Sequence, residues 1–220
     1  MATQKSPKKS TATEPPPTLG DRILDAGLDE AAVVGWRMVS MDAVATRAGL
    51  KLGEVLLQVP GKMHLLFALM DRIDARMLAP VAGIDADDTP RDRLFELLMR
   101  RFDALNDKRE GARAFVTGAS RDPLLGLAAL CRAERSAVAI LSAAGISTGG
   151  FLGLARINGL KAVVGCALKA WMEDDSADLA KTMATLDRAL ARAEKLADFM
   201  NGRRRSSPPE SSEGDAQARA

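Results

Sequence analysis

Few residues in this 220-residue chain could do covalent chemistry. There is one histidine, His64, and two cysteines, Cys131 and Cys166. Any Ser- or Cys-His nucleophile would have to use His64, while both cysteines lie in apolar, helix-like surroundings and read as buried free thiols. No CxxC, HExxH or P-loop sequence is present. "GGFLG" at 149–153 reads as tight packing at a helix start, and "MEDD" at 172–175 as a solvated helix junction. Neither catalysis, a metal site nor a cofactor is expected. The polar groups with a clear use sit in "AGLKLGEVLLQVPGK", Ala48–Lys62. There Lys51, Gln58 and Lys62 can reach phosphates or base edges. Glu54 either repels a phosphate or accepts from a cytosine amino group.

Short helices must position those side chains. The first pattern runs from about Leu19 to Gly35. Ser40 is a good N-cap for "MDAVATRAG", with Asp42 favourably placed in the first turn. Gly49 ends that helix, and a third runs from Leu52 to about Val59, where Pro60 stops it. Two short helices joined by a glycine turn behind a longer one form the layout of a helix-turn-helix. Met41, Val44 and Ala45 are expected to pack on the first helix, and Val55 and Leu56 to hold the third.

The rest is also helical. Lys62 to about Ala79 carries an apolar face. "GIDADDTP" is a loop, Thr89 caps the next helix and Pro90 opens it. Further helices end near Asp122, run from Pro123 to about Ala144, and span Gly150–Glu173. Ser176 is expected to cap a last helix reaching about Met200. Leu179, Met183, Leu186 and Leu190 follow 4-3-4 spacing, continued by Ala193, Ala197 and Met200, a seam suited to a partner's helix or to its own chain.

Composition agrees with this reading. The chain is 47% apolar but only 4% aromatic, and it lacks tyrosine. That favours helices over sheets. A formal charge of +2 argues neither for nor against a nucleic acid partner. Residues 1–18 and 203–220 are too polar to build a core and are expected to be disordered. The N-terminus has no secretory h-region, and Arg, Lys or Asp interrupts the apolar runs, so a cytoplasmic chain is expected.

The segment 23–74 resembles the DNA-binding domain of TetR-type transcriptional regulators. Ile23, Leu24, Ala26, Gly35, Trp36, Ser40, Met41, Val44, Ala45, Ala48, Gly49, Gly53 and Lys62 stand at that pattern's places. The resemblance implies an all-α fold, with a helix-turn-helix domain at 19–72 and a helical effector-binding and dimerisation domain at 73–202. It also implies an operator in double-stranded DNA, contacted from Ser40, Arg47, Lys51, Leu52, Glu54, Gln58 and Lys62. The recognition helix is degenerate: the family's Ser falls at Lys51, its Thr at Glu54, its Tyr at Leu56, its His at Gln58 and its Phe at Val59. Residues 21–72 hold six basic against seven acidic side chains, a net of −1, weak for a module that neutralises phosphates.

Regulators of this kind take a small effector. Met70, Met77, Phe95, Met99, Phe102, Phe115 and Trp171 are the residues expected around a hydrophobic pocket, methionine suiting an irregular one. Leu179, Met183, Leu186 and Leu190 are expected at a homodimer interface. The reading is a cytoplasmic repressor that a small hydrophobic effector releases by changing the spacing of its two DNA-binding domains. The alternative is a TetR-fold protein that no longer binds DNA and serves as a lipid- or isoprenoid-binding accessory protein, as in ubiquinone synthesis.

Overall fold

The computed structural model describes residues 17–79 and 88–205, with side chains through residue 197. Most of both tails and of the loop at 83–90 lies outside the described residues. Nine α-helices and one 3-10 turn make up the ordered elements among those residues, with no strand. The helices are α1 (Leu19–Val34), α2 (Met41–Ala48), α3 (Leu52–Gln58), α4 (Lys62–Leu78), α5 (Pro90–Asn106), α6 (Arg109–Arg121), α7 (Pro123–Ala143), α8 (Gly150–Met172) and α9 (Ala180–Arg205). The 3-10 turn is Trp36–Met38.

These helices fall into two compact units. The first comprises residues up to 69 and, from far along the chain, Glu110–Gly118 of α6. The sequence boundary at 72 did not anticipate that α6 segment. Ile23, Leu24, Leu28 and Ala31 of α1 are buried together with Val44 and Ala45 of α2 and Leu65, Leu66 and Leu69 of α4. Thr18, assigned to the tail on composition, instead caps α1. Its hydroxyl accepts the Asp21 N–H, and Asp21 accepts the Thr18 N–H in return. Trp36 is buried against Phe115 of α6, with ring centroids 3.7 Å apart. Glycine lets α6 come this close. A Cβ on Gly111 would stand 2.5 Å from the Leu28 carbonyl oxygen, and one on Gly118 would stand 2.6 Å from the Trp36 ring.

The second unit comprises residues 70–109 and 119 onward. Its core includes Met77, Leu97, Leu98, Phe102, Leu125, Ile140, Trp171 and Leu186, and its most extensive helix pair is α8 with α9. The Gly153 position is close against the Thr148 carbonyl, so "GGFLG" does serve tight packing. Arg101, nearly buried, donates to Asp74 at 2.7 Å and to Ser136 at 3.1 Å, so this charge is paired within the core. Helix α8 is long and apolar enough to cross a membrane. Within this unit it buries Ile157, Leu160, Val163, Ala167 and Trp171 along one side.

The junction before α9 differs from expectation. Asp174 is buried, not solvated. Its carboxylate accepts the Ser176 N–H and hydroxyl and the Thr182 N–H and hydroxyl, at 2.5 to 3.2 Å. Burial pushes this carboxyl upward, but the four hydrogen bonds outweigh it and hold Asp174 well below the usual carboxylate range. Leu179 has φ of 53°, so α9 starts at Ala180 rather than directly after Ser176. The Ser176 hydroxyl still accepts the Ala180 N–H at 3.0 Å. The helix continues to Arg205, beyond the Met200 end read from the sequence.

Candidate nucleic-acid interface and ligand cleft

In the first unit, α2 and α3 are joined through Gly49, whose left-handed backbone (φ 67°) ends α2. Ser40 caps α2 by accepting the Ala43 N–H at 3.1 Å. Arg22 of α1 donates to the Ala48 carbonyl at 3.1 Å and so closes the other end of α2. Val55 and Val59 are the buried anchors of α3. Leu56, expected to share that role, is 38% exposed instead. It sits 100° around the helix from Val55 and so falls on the flank.

The candidate contact residues are dispersed in their uses. Lys51, Leu52, Glu54 and Gln58 are exposed on α3 or at its start. Glu54 folds back to accept the Lys51 N–H at 2.8 Å. Gln58 lies by the start of α1, its amide nitrogen 3.8 Å from a Cβ placed on Gly20. Arg47 is held by Glu30, with both Nε and Nη2 bonded to one carboxylate oxygen at 2.9 and 2.6 Å. Lys62 donates to the Arg37 carbonyl at 2.9 Å and lies 5.0 Å from the Trp36 ring centroid. Two cations of the expected DNA-contact set, Arg47 and Lys62, therefore brace the unit itself. Arg37, which the sequence did not single out, is exposed and has no ion pair among the described residues, as is true of Lys51. Leu57 was also missed and is 89% exposed. Helical periodicity could have found it, since it lies opposite Val55.

In the second unit, a cleft of about 240 Å³ opens between α5, the α7–α8 turn, α8 and α9. Leu94, Leu141, Ile146, Leu160, Val163 and Leu190 supply its apolar wall, while Arg91, Arg156 and Glu194 are its charged members. None of the seven expected pocket residues lines it. Met70, Met77, Phe102 and Trp171 are buried core, Phe95 and Met99 are half-buried, and Phe115 belongs to the first unit. Large apolar side chains fill space by preference, so they mark a core more readily than a cavity. Leu179, Leu186 and Leu190 are likewise buried by their own chain, and only Met183 of the expected interface set is exposed. Cys131 and Cys166, expected to be buried, are both exposed. Each lies on a side of its helix that its own chain leaves uncovered. His64 is exposed beside Phe67, 6.1 Å between ring centroids.

No protein-family model matches the sequence, and no curated protein matches it. Solved structures do. The TetR transcriptional regulator from Nitrosomonas europaea is similar with a TM-score of 0.68 and 27% identity, over 81% of this chain and 99% of that one. This chain has the TetR-type fold. A transcriptional regulator from Rhodococcus is similar at 26% identity and TM-score 0.57, over 82% of this chain and 98% of that one. A TetR-family regulator from Streptomyces coelicolor shares the fold at 20% identity and TM-score 0.56, over 87% and 90%. The TetR likeness thus spans both units and extends well beyond the helix-turn-helix segment.

Proposed function

We propose that this TetR-like regulator is a DNA-binding repressor controlled by a small hydrophobic effector. The observation that carries the reading is the presentation of α3. Val55 and Val59 anchor it, and its opposite face is left to solvent in a chain whose neighbours are named transcriptional regulators. The test is a gel shift at low salt with the full-length protein and the DNA upstream of its own gene. Retention that falls steeply with salt supports the proposal. Absence of retention on that DNA and on genomic fragments would overturn it.

The effector site in this reading is the cleft beside α8 and α9, whose wall suits an apolar molecule. The active form is a homodimer in the cytoplasm. Its support is the outward side of α8, where Phe151, Leu154, Ala162, Gly165 and Cys166 are exposed. Only 28% of this helix's most apolar 18-residue window is buried in its own chain. A second copy laid along this side would cover it. The similar structures are of transcriptional regulators and lend no support to a lipid-binding accessory role.

A further inference from the structure

At 100° per residue, the positions opposite the buried Val55 of α3 are Gly53 and Leu57. Leu57 is 89% exposed, and Leu56, 100° from Val55, borders this face at 38%. A Cβ placed on Gly53 would meet nothing within 4 Å, so a groove edge can approach the helix backbone closely beside Leu57. The polar side chains of α3 are drawn elsewhere, Glu54 onto the Lys51 N–H and Gln58 toward the start of α1. What α3 presents outward is therefore aliphatic. Exposed Arg37 and Lys51, without ion pairs among the described residues, can neutralise phosphates on a duplex set against the same unit.

An aliphatic side chain has no hydrogen bond to offer a base edge. Guanine and adenine are distinguished by bidentate donors and acceptors, whereas the C5-methyl of thymine is the one major-groove feature read by apolar contact. We propose that α3 selects thymine through its methyl group, with Leu57 as the specificity-determining residue and Leu56 beside it. This inference rests on the DNA-binding reading above.

The test uses the full-length protein. Duplexes are first selected from a random pool at low salt, and each thymine of the selected site is then replaced in turn by deoxyuridine, which removes only the methyl. At the positions facing α3, affinity should fall about fourfold per methyl removed, from roughly 0.8 kcal/mol per buried carbon. In Leu57→Ala the thymine–uracil difference should shrink below about twofold. Its salt slope and melting temperature should match the unaltered protein, because Leu57 supports no core. Equal binding of thymine and uracil duplexes, or a full difference retained in Leu57→Ala, would overturn the inference while leaving DNA binding intact. If no duplex is retained at all, the DNA-binding reading fails and takes this one with it. Self-association that disappears in Leu57→Ala, with no thymine preference, would reassign the face to a second copy of the chain.

Discussion

The Glu54 carboxylate accepts the backbone N–H of Lys51 at 2.8 Å, so the acid in the first turn of α3 closes the start of its own helix. A lysine at the cap position has no side-chain acceptor for the first-turn N–H groups, so of the two bonds of a capping box only the one from its own N–H to the Glu54 carboxylate is made. Glu54→Ala should cost roughly 0.5–1.5 kcal/mol of stability, read from melting curves. Glu54→Gln keeps an acceptor and should cost less. It should also bind any duplex a few-fold more tightly at low salt, measured by fluorescence anisotropy, because one negative charge leaves the interface. Selective weakening on the selected site would instead make Glu54 a cytosine reader.

Glycine at 111 and 118 sets how closely α6 lies within the first unit. Gly111→Ala and Gly118→Ala should each destabilise by about 1–3 kcal/mol, because the added methyl meets the Leu28 backbone or the Trp36 ring. Gly159→Ala is the control. Nothing lies within 4 Å of its added methyl, and in mid-helix it should stabilise by roughly 0.5–1 kcal/mol. Urea unfolding of the three variants checks the order.

Asp174 gives acid unfolding a definite cause. Its carboxyl is held well below the usual range in the folded chain. Its stabilisation is therefore fully present above the unfolded value, near 4, and is lost as pH falls from there toward the folded value. Asp174→Asn should melt below the unaltered protein at pH 7, and the gap should narrow steadily under about pH 4. A gap that stays constant down to pH 3 would show that the charge of Asp174 does not matter.

Ala162→Glu should give a folded monomer in light scattering, since it places a charge on the outward side of α8 without touching the core. Leu186→Glu should behave differently. That side chain is fully buried within its own unit, so the variant should unfold rather than dissociate.

Gly159→Leu should fill the cleft without strain, since Gly159 lines it and has open space at its Cβ. The variant should keep DNA binding and lose any rise in melting temperature that apolar compounds give the unaltered protein. A rise of the same size in both proteins would place the effector elsewhere.

The local stops and starts were decided by the sequence alone. Ser40, Gly49, Thr89 and Pro90 act through hydrogen bonds and backbone angles within a few residues, so capping rules place them without knowledge of the rest. The all-α class followed from the same local logic, as did the burial of Val44, Ala45 and Val55 at helical spacing. The TetR resemblance came from residues in register over one short stretch, where each helix contacts its sequence neighbours.

Tertiary structure decided what each shared feature was used for. An apolar seam has the same spacing whether its own chain or a partner covers it, and packing with α8 assigned Leu179, Leu186 and Leu190 to their own core. Arg47 and Lys62 carry the charge a phosphate would need, but the groups that hold them, Glu30 and the Trp36–Arg37 turn, lie 17 and about 25 residues away. The cleft is a space between four elements rather than a property of any residue, so methionines and aromatics chosen by residue type do not mark its lining. Leu57 is the counterexample. Its exposure follows from the buried Val55 on the same short helix and Val59 at its C-cap, and the sequence already held it.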